Sequence, residues 1–225
     1  MLKAIKHWVD KARGTTLGSV RDTATPPAEP HASDATATAP ARPLSLPLED
    51  ARTDDIDGFL EAARRAERSG ASPWVLRDEA RLETLSRALE FVVHRGLWLQ
   101  REQQGVAHWQ GRLLALRHED GHALGMAFVC RRDDEAAWQL RFFYVEPQWQ
   151  ERRHAGRLLT ALRNVLRGTP VEVRLPRQCS VAIRSLEKAG FECRYTDAQG
   201  VAHYEAPAQW NDSKRAGRSA GTLAH

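Results

Sequence analysis

Hydrophobic and polar residues follow a regular pattern only in the middle of the chain, from about residue 44 to residue 207. After a short strand predicted at Leu44–Leu48, apolar residues return every three or four positions, which predicts helices over 53–70 and Asp78–His94. Acidic residues open the first of these helices and a glycine follows it, as the helix dipole and left-handed caps favour. The spacing within 96–111 fits neither a helix nor a strand clearly.

The second half of this region alternates strands with helices. Asp120-Gly121 between two apolar runs is a strong hairpin signal, and a third strand stops at Pro147, which cannot continue a central ladder. The remaining predicted elements are a helix at Ala155–Leu166, a strand at Val171–Pro176, a helix at Val181–Ala189 and strands at Phe191–Tyr195 and Ala202–Ala206. This order predicts an α/β (α+β) fold, with a mixed, mostly antiparallel sheet flanked by helices in a single domain.

Both ends of the chain lack this regularity. Residues 1–13 place apolar and lysine side chains on opposite faces, which predicts a short amphipathic basic helix that docks a partner protein or, weakly, a membrane surface. Residues 14–43 are rich in Pro, Ala and Thr and are predicted to be a disordered linker. Residues 208–225 are small and polar, which predicts a disordered tail.

Hydropathy and cysteine spacing argue against a membrane-spanning, a disulfide-rich and a metal-binding protein. No apolar run approaches the ~20 residues that a bilayer core requires, and the N-terminus lacks the apolar stretch of a secretory signal, so we expect a cytoplasmic protein without stable membrane insertion. The three cysteines show neither a CxxC pair nor metal-ligand spacing, so we expect reduced thiols and no metal. The net charge of +4 is too small to indicate a nucleic-acid partner by itself.

The positive charge concentrates around one junction. From Trp138 to Gln178 the chain has eight arginines and three glutamates. Within this segment, "VEPQWQERRHAGRLLTAL" (Val145–Leu162) passes from the end of a strand into a helix. A helix N-terminus carries unpaired N–H groups and a partial positive charge, so arginines beside it make a phosphate group the natural ligand. The alternative interpretation is an amphipathic helix with solvated arginines.

This junction resembles the acetyl-CoA loop of the GCN5-related N-acetyltransferase (GNAT) superfamily. The family pattern is Q/R-x-x-G-x-G/A after a strand that ends in Val-x-Pro. The chain has Val145-Glu146-Pro147, followed by Gln150 and Ala155 at the first and last positions of the pattern. Arg153 replaces the middle glycine, which changes how closely the backbone can approach a pyrophosphate, because glycine has no Cβ.

A second motif supports the resemblance. The segment "SVAIRSLEKAGFECRY" (Ser180–Tyr195) is similar to the late signature of the family, A-I-x-x-Y-E-K-x-G-F. Leu186 replaces the tyrosine that many members use as general acid, and leucine has no proton to transfer. Cys179 replaces the asparagine that often starts the signature. Together the two motifs predict a GNAT-like acyltransferase domain over residues 44–207.

The resemblance implies an N-acetyltransferase with acetyl-CoA as co-substrate. In this family an amine attacks the thioester directly in a ternary complex, without an acyl-enzyme, so positioning and polarisation supply much of the rate. The strand before the junction is implied to hold the pantetheine arm through main-chain groups, and the loop to hold the phosphates. The implied cofactor-binding residues are Phe143, Val145, Gln150, Glu151, Arg152, Arg153, His154, Ala155, Gly156 and Arg157.

The catalytic candidates are few. Glu146 at the strand end is a candidate base for the amine proton, directly or through water, and is alternatively a solvated turn residue. Tyr144, Tyr195 and Tyr204 are candidates to replace the missing tyrosine as general acid, and each is alternatively a half-buried strand aromatic. Gln139 lies where some members carry a glutamate base, a role that an amide cannot take.

Two alternatives to an active N-acetyltransferase remain open. The replacements at Arg153 and Leu186 also fit a catalytically weak or inactive acyl-CoA-binding regulatory domain. The basic segment also fits a toxin-like member that acetylates charged tRNA, although CoA phosphates already account for the arginines and nucleic acid is not favoured. The acceptor is a small-molecule or protein amine that the sequence does not identify, and the resemblance implies that its pocket is built largely within Thr53–Gln110.

Overall fold

The structure is a computed structural model that describes residues 46–102 and 105–209. All of these residues belong to one compact unit, Leu44–His225. The helix predicted over 1–13, the linker over 14–43 and the tail beyond residue 209 lie outside the described residues and stay predictions.

Within the described residues, four α-helices form where the apolar periodicity predicts them. Asp78 caps the second helix, because its carboxylate accepts a 2.8 Å hydrogen bond from the N–H of Arg81. Gly96 ends that helix in the left-handed conformation, with φ 67°. The helices are α1 (Ile56–Arg68, after a 3-10 turn at Thr53–Asp55), α2 (Glu79–Arg95), α3 (His154–Val165) and α4 (Ser180–Lys188).

In the part of the chain that the structure describes, eight strands form one sheet in the order β1-β3-β4-β5-β6-β8-β7, with β2 paired to β3 alone. The pairing of β5 with β6 is parallel, and the other pairs among the described strands are antiparallel. The predicted mixed, mostly antiparallel sheet flanked by helices is confirmed. The strands are β1 (Leu48–Asp50), β2 (Leu97–Glu102), β3 (Gly105–Arg117), β4 (Ala123–Arg131), β5 (Trp138–Val145), β6 (Val171–Pro176), β7 (Glu192–Thr196) and β8 (Val201–Ala206).

The segment that sequence reasoning left unassigned forms β2 and the first half of β3. Its hairpin carries apolar side chains on both faces, so the alternation that identifies a strand is lost. Trp98 and Trp109, directly paired across the hairpin, are buried, whereas Leu99 and Val106 are exposed. The predicted first strand is also misplaced, because pairing with β3 begins at Leu48 rather than ending there.

Two hydrophobic clusters lie on opposite faces of the sheet. One joins the sheet to α1 and α2 and includes Phe59, Leu89 and Phe128. The other joins it to α3 and α4 and includes Leu158 and Leu186. Strand β5 contributes side chains to both clusters, so one of its faces packs toward α1 and α2 and the other toward α3 and α4.

A β-bulge in β5 decides which of its side chains reach which face. Phe128 on β4 pairs with Phe142 and Val129 pairs with Leu140, so Arg141 is the extra residue. Beyond the bulge, Phe142 and Tyr144 belong to the α1–α2 cluster. Phe143 and Val145 belong to the α3–α4 cluster, the same side as Leu140 before the bulge.

Strands β5 and β6 stop pairing at Leu140, just before the bulged residue Arg141. Their pairing covers Trp138–Leu140 on β5 and Val171–Val173 on β6, although both strands continue further. The remaining residues of the two strands are therefore not paired with each other. The unpaired ends of the two strands leave a gap in the sheet pairing at the carboxyl end of the parallel pair, the end at which open α/β sheets bind ligands.

Candidate active site

The main chain of β5 points two N–H groups toward this gap. Glu146 donates its N–H to the carbonyl of Leu124 at 2.9 Å, so its main chain faces β4. Because successive residues of a strand point their main-chain groups to opposite sides, the N–H groups of Phe143 and Val145 point away from β4. These are the two strand residues for which the GNAT resemblance implies cofactor binding, and this role stays a prediction.

The strand-to-helix junction follows directly. A 3-10 turn covers Pro147–Arg152, and α3 begins at His154. The side-chain amide of Gln150 donates a 3.0 Å hydrogen bond to the carbonyl of Val145, which fastens the turn to the strand end. The first N–H groups of α3 are thereby held beside the gap, where a helix N-terminus favours an anion.

The structure brings the predicted phosphate-loop residues to this one junction. Arg153 and Arg157 are exposed, His154 is buried, and Ala155 and Gly156 are partly exposed. Glu151 and Arg152 belong to the 3-10 turn by their main chain, and nothing is described for their side chains. The loop therefore presents backbone donors together with two exposed guanidinium groups.

Trp149 fixes the loop to its neighbours, and sequence reasoning did not select it. Its ring stacks on His118 of the β3–β4 turn at 5.8 Å between centroids. The same ring meets the edge of His154 at 5.9 Å. A tryptophan inside the loop was visible in the sequence, but its stacking partner lies 31 positions away by the numbering, so no local pattern indicated the contact.

Arg153 adopts the conformation that the missing glycine would adopt. Its φ of 60° and ψ of 18° are left-handed, and it is the one non-glycine residue with positive φ in the described part of the chain. An L-residue pays roughly 1–2 kcal/mol for this conformation. The left-handed conformation that favours glycine is therefore present at this position, where the chain carries an arginine side chain.

We expect Arg153→Gly to stabilise the fold by about 0.5–1 kcal/mol, since relief of the left-handed strain exceeds the added entropy of unfolded glycine. Urea denaturation measures this change. Arg153→Ala is the matched control, because it removes the same charge but keeps the strain, and we expect no stabilisation from it. Equal stability of the two variants would contradict the strain argument.

Gly125 lets β4 approach the end of β5 closely. It pairs with Val145, and a Cβ placed on it would lie 2.4 Å from the carbonyl oxygen of Tyr144. That neighbour is backbone, which cannot rotate away as a side chain can. A larger residue at position 125 would therefore displace the part of β5 that lines the gap.

Tyr144 lies on the α1–α2 face of the same gap. Its ring contacts those of Phe59 and Phe142, each with 6.1 Å between centroids. A Cβ built on Gly58 of α1 would lie 3.8 Å from the Tyr144 hydroxyl, so this glycine leaves room beside the phenol. Burial, aided by the nearby Glu146 carboxylate, raises the pKa of Tyr144 well above its usual value.

Glu146 is held by an arginine that sequence reasoning missed. Arg65 of α1 donates to the Glu146 carboxylate at 3.2 Å and also pairs with Glu61 at 3.2 Å. The Glu146 side chain is 23% exposed, so water still reaches it. Arg65 and Glu146 lie 81 positions apart, and no pattern in the sequence connects them.

Tyr204 does not lie with Tyr144 and Glu146. It belongs to the α3–α4 cluster, on the face of the sheet opposite Tyr144, and is 6% exposed. Its hydroxyl donates to Glu187 at 3.3 Å, and burial raises the pKa of Tyr204. Leu186, at the position of the family tyrosine, is completely buried. Its side chain is thus part of the core.

The three cysteines are free thiols. Burial raises the pKa of Cys130 to about 12 and also raises the pKa of Cys179. Across residues 46–102 and 105–209, no three His, Cys, Asp or Glu side chains are grouped so that they could hold a metal ion. No helix in the same residues is long and apolar enough to cross a membrane.

Solved acetyltransferase structures share this architecture. AAC(6′)-Ib in complex with paromomycin and acetyl-CoA superposes with a TM-score of 0.50 at 14% identity, over 78% of this chain and 98% of that chain. The phosphinothricin acetyltransferase of Sinorhizobium meliloti, in complex with acetyl-CoA, gives 0.53 at 15% identity, over 73% and 89%. The PaiA N-acetyltransferase of Thermoplasma acidophilum, with coenzyme A, gives 0.50 at 17% identity, over 72% and 98%.

These likenesses show the fold: the chain has the fold of the GNAT superfamily, as the two motifs predict. At 14–17% identity they do not extend to the acceptor or to individual residues. No protein-family model matches the sequence, and no curated protein sequence matches it.

Proposed function

We propose that the protein is an N-acetyltransferase that moves an acetyl group from acetyl-CoA to an amine by direct attack in a ternary complex. The observation that carries the proposal is the gap between β5 and β6, which opens beside the N-terminus of α3. The strand end supplies donors for a thioester arm, and the helix end supplies donors for phosphates. The GNAT fold of acetyl-CoA-bound structures supports the same placement.

The proposed cofactor contacts follow the main chain. The N–H groups of Phe143 and Val145 bind the pantetheine arm and polarise the thioester carbonyl. The N–H groups from residue 151 to residue 156 bind the pyrophosphate, and the exposed guanidinium groups of Arg153 and Arg157 add charge. Acetyl-CoA supplies the activated acyl group.

The proposed acid and base are Tyr144 and Glu146, which lie together at the end of β5. Glu146 receives the amine proton, directly or through water, while Arg65 orients its carboxylate. Tyr144 returns a proton to the departing thiolate in place of the tyrosine that is absent at Leu186. The Tyr144 hydroxyl is protonated at neutral pH, as the ordinary tyrosine pKa near 10 already ensures, so it holds a proton that it can donate. Burial, which raises the pKa of Tyr144, keeps it protonated at still higher pH.

The test is a thiol-release screen with acetyl-CoA against aminoglycosides, polyamines, amino acids, peptides and charged tRNA. We expect CoA thiol to appear with at least one amine, and mass spectrometry to find one added acetyl group on that amine. CoA binding without thiol release across the whole panel would overturn the catalytic proposal. Thiol release with charged tRNA alone would assign the toxin-like function.

The alternative is an acyl-CoA-binding regulatory domain with little or no turnover. Leu186 favours it, because a completely buried leucine stands where the family has its proton donor. The two functions share the cofactor site and differ only in turnover. Isothermal titration with acetyl-CoA beside the thiol-release screen therefore separates them.

We further propose a cytoplasmic location, a small-molecule or protein amine as the acceptor, and a partner-docking role for residues 1–13. These three proposals rest on the sequence pattern. Deletion of residues 1–42 tests the docking role, since an unchanged cellular distribution and an unchanged set of bound proteins would remove it.

A further inference from the structure

A second cavity lies away from the β5–β6 gap, between α4 and the strands β7 and β8. Its volume is about 290 Å³, at the lower end of the range for ligand pockets. Residues from α4, from the segment before it and from both strands contribute to its wall. The lining residues are Arg177, Ser180, Ile183, Arg184, Cys193, Thr196, Ala202 and Tyr204.

The cavity is separate from the proposed acetyl-CoA site. Ser180, Ile183 and Arg184 recur at positions i, i+3 and i+4 of α4, so they form one stripe that faces the cavity. Leu186 lies roughly a third of a turn around the helix, at 3.6 residues per turn, and packs in the core shared with α3. The helix therefore turns one side to the core and another to the cavity.

The wall of this cavity is cationic. Arg177 and Arg184 carry its charge, and neither guanidinium forms an ion pair or a side-chain hydrogen bond with another of the described residues. In contrast, Arg194 on neighbouring β7 pairs with Glu205 at 2.9 Å. None of the eight lining residues is acidic, so the two charges of the wall are not neutralised from within it.

Hydroxyl groups and an apolar floor complete the cavity. Ser180 and Thr196 supply hydroxyl donors, whereas the Tyr204 hydroxyl donates its one proton to Glu187 at 3.3 Å. Ile183 and Ala202 supply the apolar surface. Two guanidinium groups over such a floor match an oxyanion attached to a small apolar body, because guanidinium binds carboxylate and phosphate with paired hydrogen bonds.

We propose that this cavity is a binding site for a small organic anion, with its carboxylate or phosphate group between Arg177 and Arg184 and its apolar body against Ile183 and Ala202. The proposal is independent of acetyl transfer. It places Tyr204 in the wall of the anion site rather than at the reacting thioester.

Cys193 provides a direct readout, because its exposed thiol lines the cavity. The full-length protein is alkylated with iodoacetamide in the presence of phenyl phosphate, benzoate or neutral benzyl alcohol, and peptide mass spectrometry follows Cys193. We expect at least one of the two anions to slow alkylation and benzyl alcohol to have no effect. The anion that protects identifies the head group. Equal protection by the neutral alcohol, or protection by none of the three, would overturn the proposal.

Arginine variants and competition with CoA test whether the anion binds in this cavity. We expect Arg177→Gln and Arg184→Gln each to weaken binding of the protecting anion roughly tenfold or more, as the loss of a charged hydrogen bond predicts. Arg167→Gln is the control, since Arg167 is an exposed arginine outside the cavity wall. Protection that survives saturating CoA supports a separate site. Loss of protection with CoA, or equal affinity in all three variants, would contradict it.

Discussion

Arg117→Ala should lower the free energy of unfolding by about 3–5 kcal/mol, because it leaves a largely buried carboxylate without its counter-charge. The Arg117 side chain is 6% exposed and binds Asp55 at 2.6 Å. The same guanidinium donates to the carbonyl of Gly121 at 3.1 Å and lies 3.5 Å from Glu49. One side chain thus joins β1, the 3-10 turn before α1 and the β3–β4 turn. The midpoint of urea denaturation measures the loss.

Arg112→Ala is the matched control for this prediction. Arg112 also makes paired hydrogen bonds to an aspartate, Asp50, at 2.9–3.1 Å. The side chains of this pair are 33% and 69% exposed, so water screens it, and we expect its loss to cost less than about 1 kcal/mol. Similar losses in the two variants would mean that burial does not determine the strength of the Arg117 pair.

Local sequence signals were sufficient for the elements whose ends are marked by capping or turn residues. Asp78 before α2 and Gly96 after it bound that helix, and Asp120-Gly121 marks the turn between β3 and β4. Such signals act within four residues of the backbone that they satisfy, so they can be read without knowing the fold. The same holds for Pro147, which stops β5 where the junction begins.

Contacts between distant segments could not be predicted in this way. The ion pair between Arg65 and Glu146 depends on how α1 packs against the end of β5. The bulge at Arg141 has no signature in the residues of β5, yet it sets which side chains face each half of the molecule. The sequence thus named Tyr144 and Tyr204 as equal candidates, and the fold placed them on opposite faces.

Arg153 has the positive φ that favours glycine, although its side chain breaks the match to the family pattern. Glycine is favoured at that position because it adopts positive φ at little cost. The cost to arginine, roughly 1–2 kcal/mol, is small enough for the contacts of the loop to offset. Gln150 bonded to Val145 and Trp149 stacked on His118 are such contacts. Gln150 and Ala155, the first and last positions of the pattern, match it on either side of Arg153.

The bulge also decides which groups of β5 would face each of the two substrates in the proposed reaction. Main-chain N–H groups on the edge of β5 that faces β6 suit the cofactor. The side chain of Tyr144 faces α1, within the region where the sequence places the acceptor pocket. In the proposed ternary complex, an amine that approached from the α1 side would reach a thioester in the gap without crossing the strand, close to Tyr144 and Glu146.

Tyr144→Phe should lower kcat by about 10²–10⁴-fold if the phenol is the general acid, and should leave the KM for acetyl-CoA nearly unchanged. The substitution keeps the ring contacts with Phe59 and Phe142, so folding is preserved. Burial raises the pKa of Tyr144, and the phenol therefore stays protonated as pH rises through the ordinary tyrosine pKa near 10. The alkaline fall of kcat in the wild type should accordingly lie above that pH.

The other two tyrosines of the chain distinguish catalysis from packing in the same assay, which is thiol release with the acceptor found by screening. Tyr195 is 56% exposed on β7, so Tyr195→Phe should leave kcat unchanged. Tyr204→Phe removes the hydroxyl bonded to Glu187 on the opposite face of the sheet, and we expect kcat to stay within about threefold of the wild type, well below the effect of losing a general acid. Full activity in Tyr144→Phe together with a large loss in Tyr204→Phe would transfer the acid role to Tyr204, and the proton would then have to reach the thiolate from the α3–α4 side of the gap.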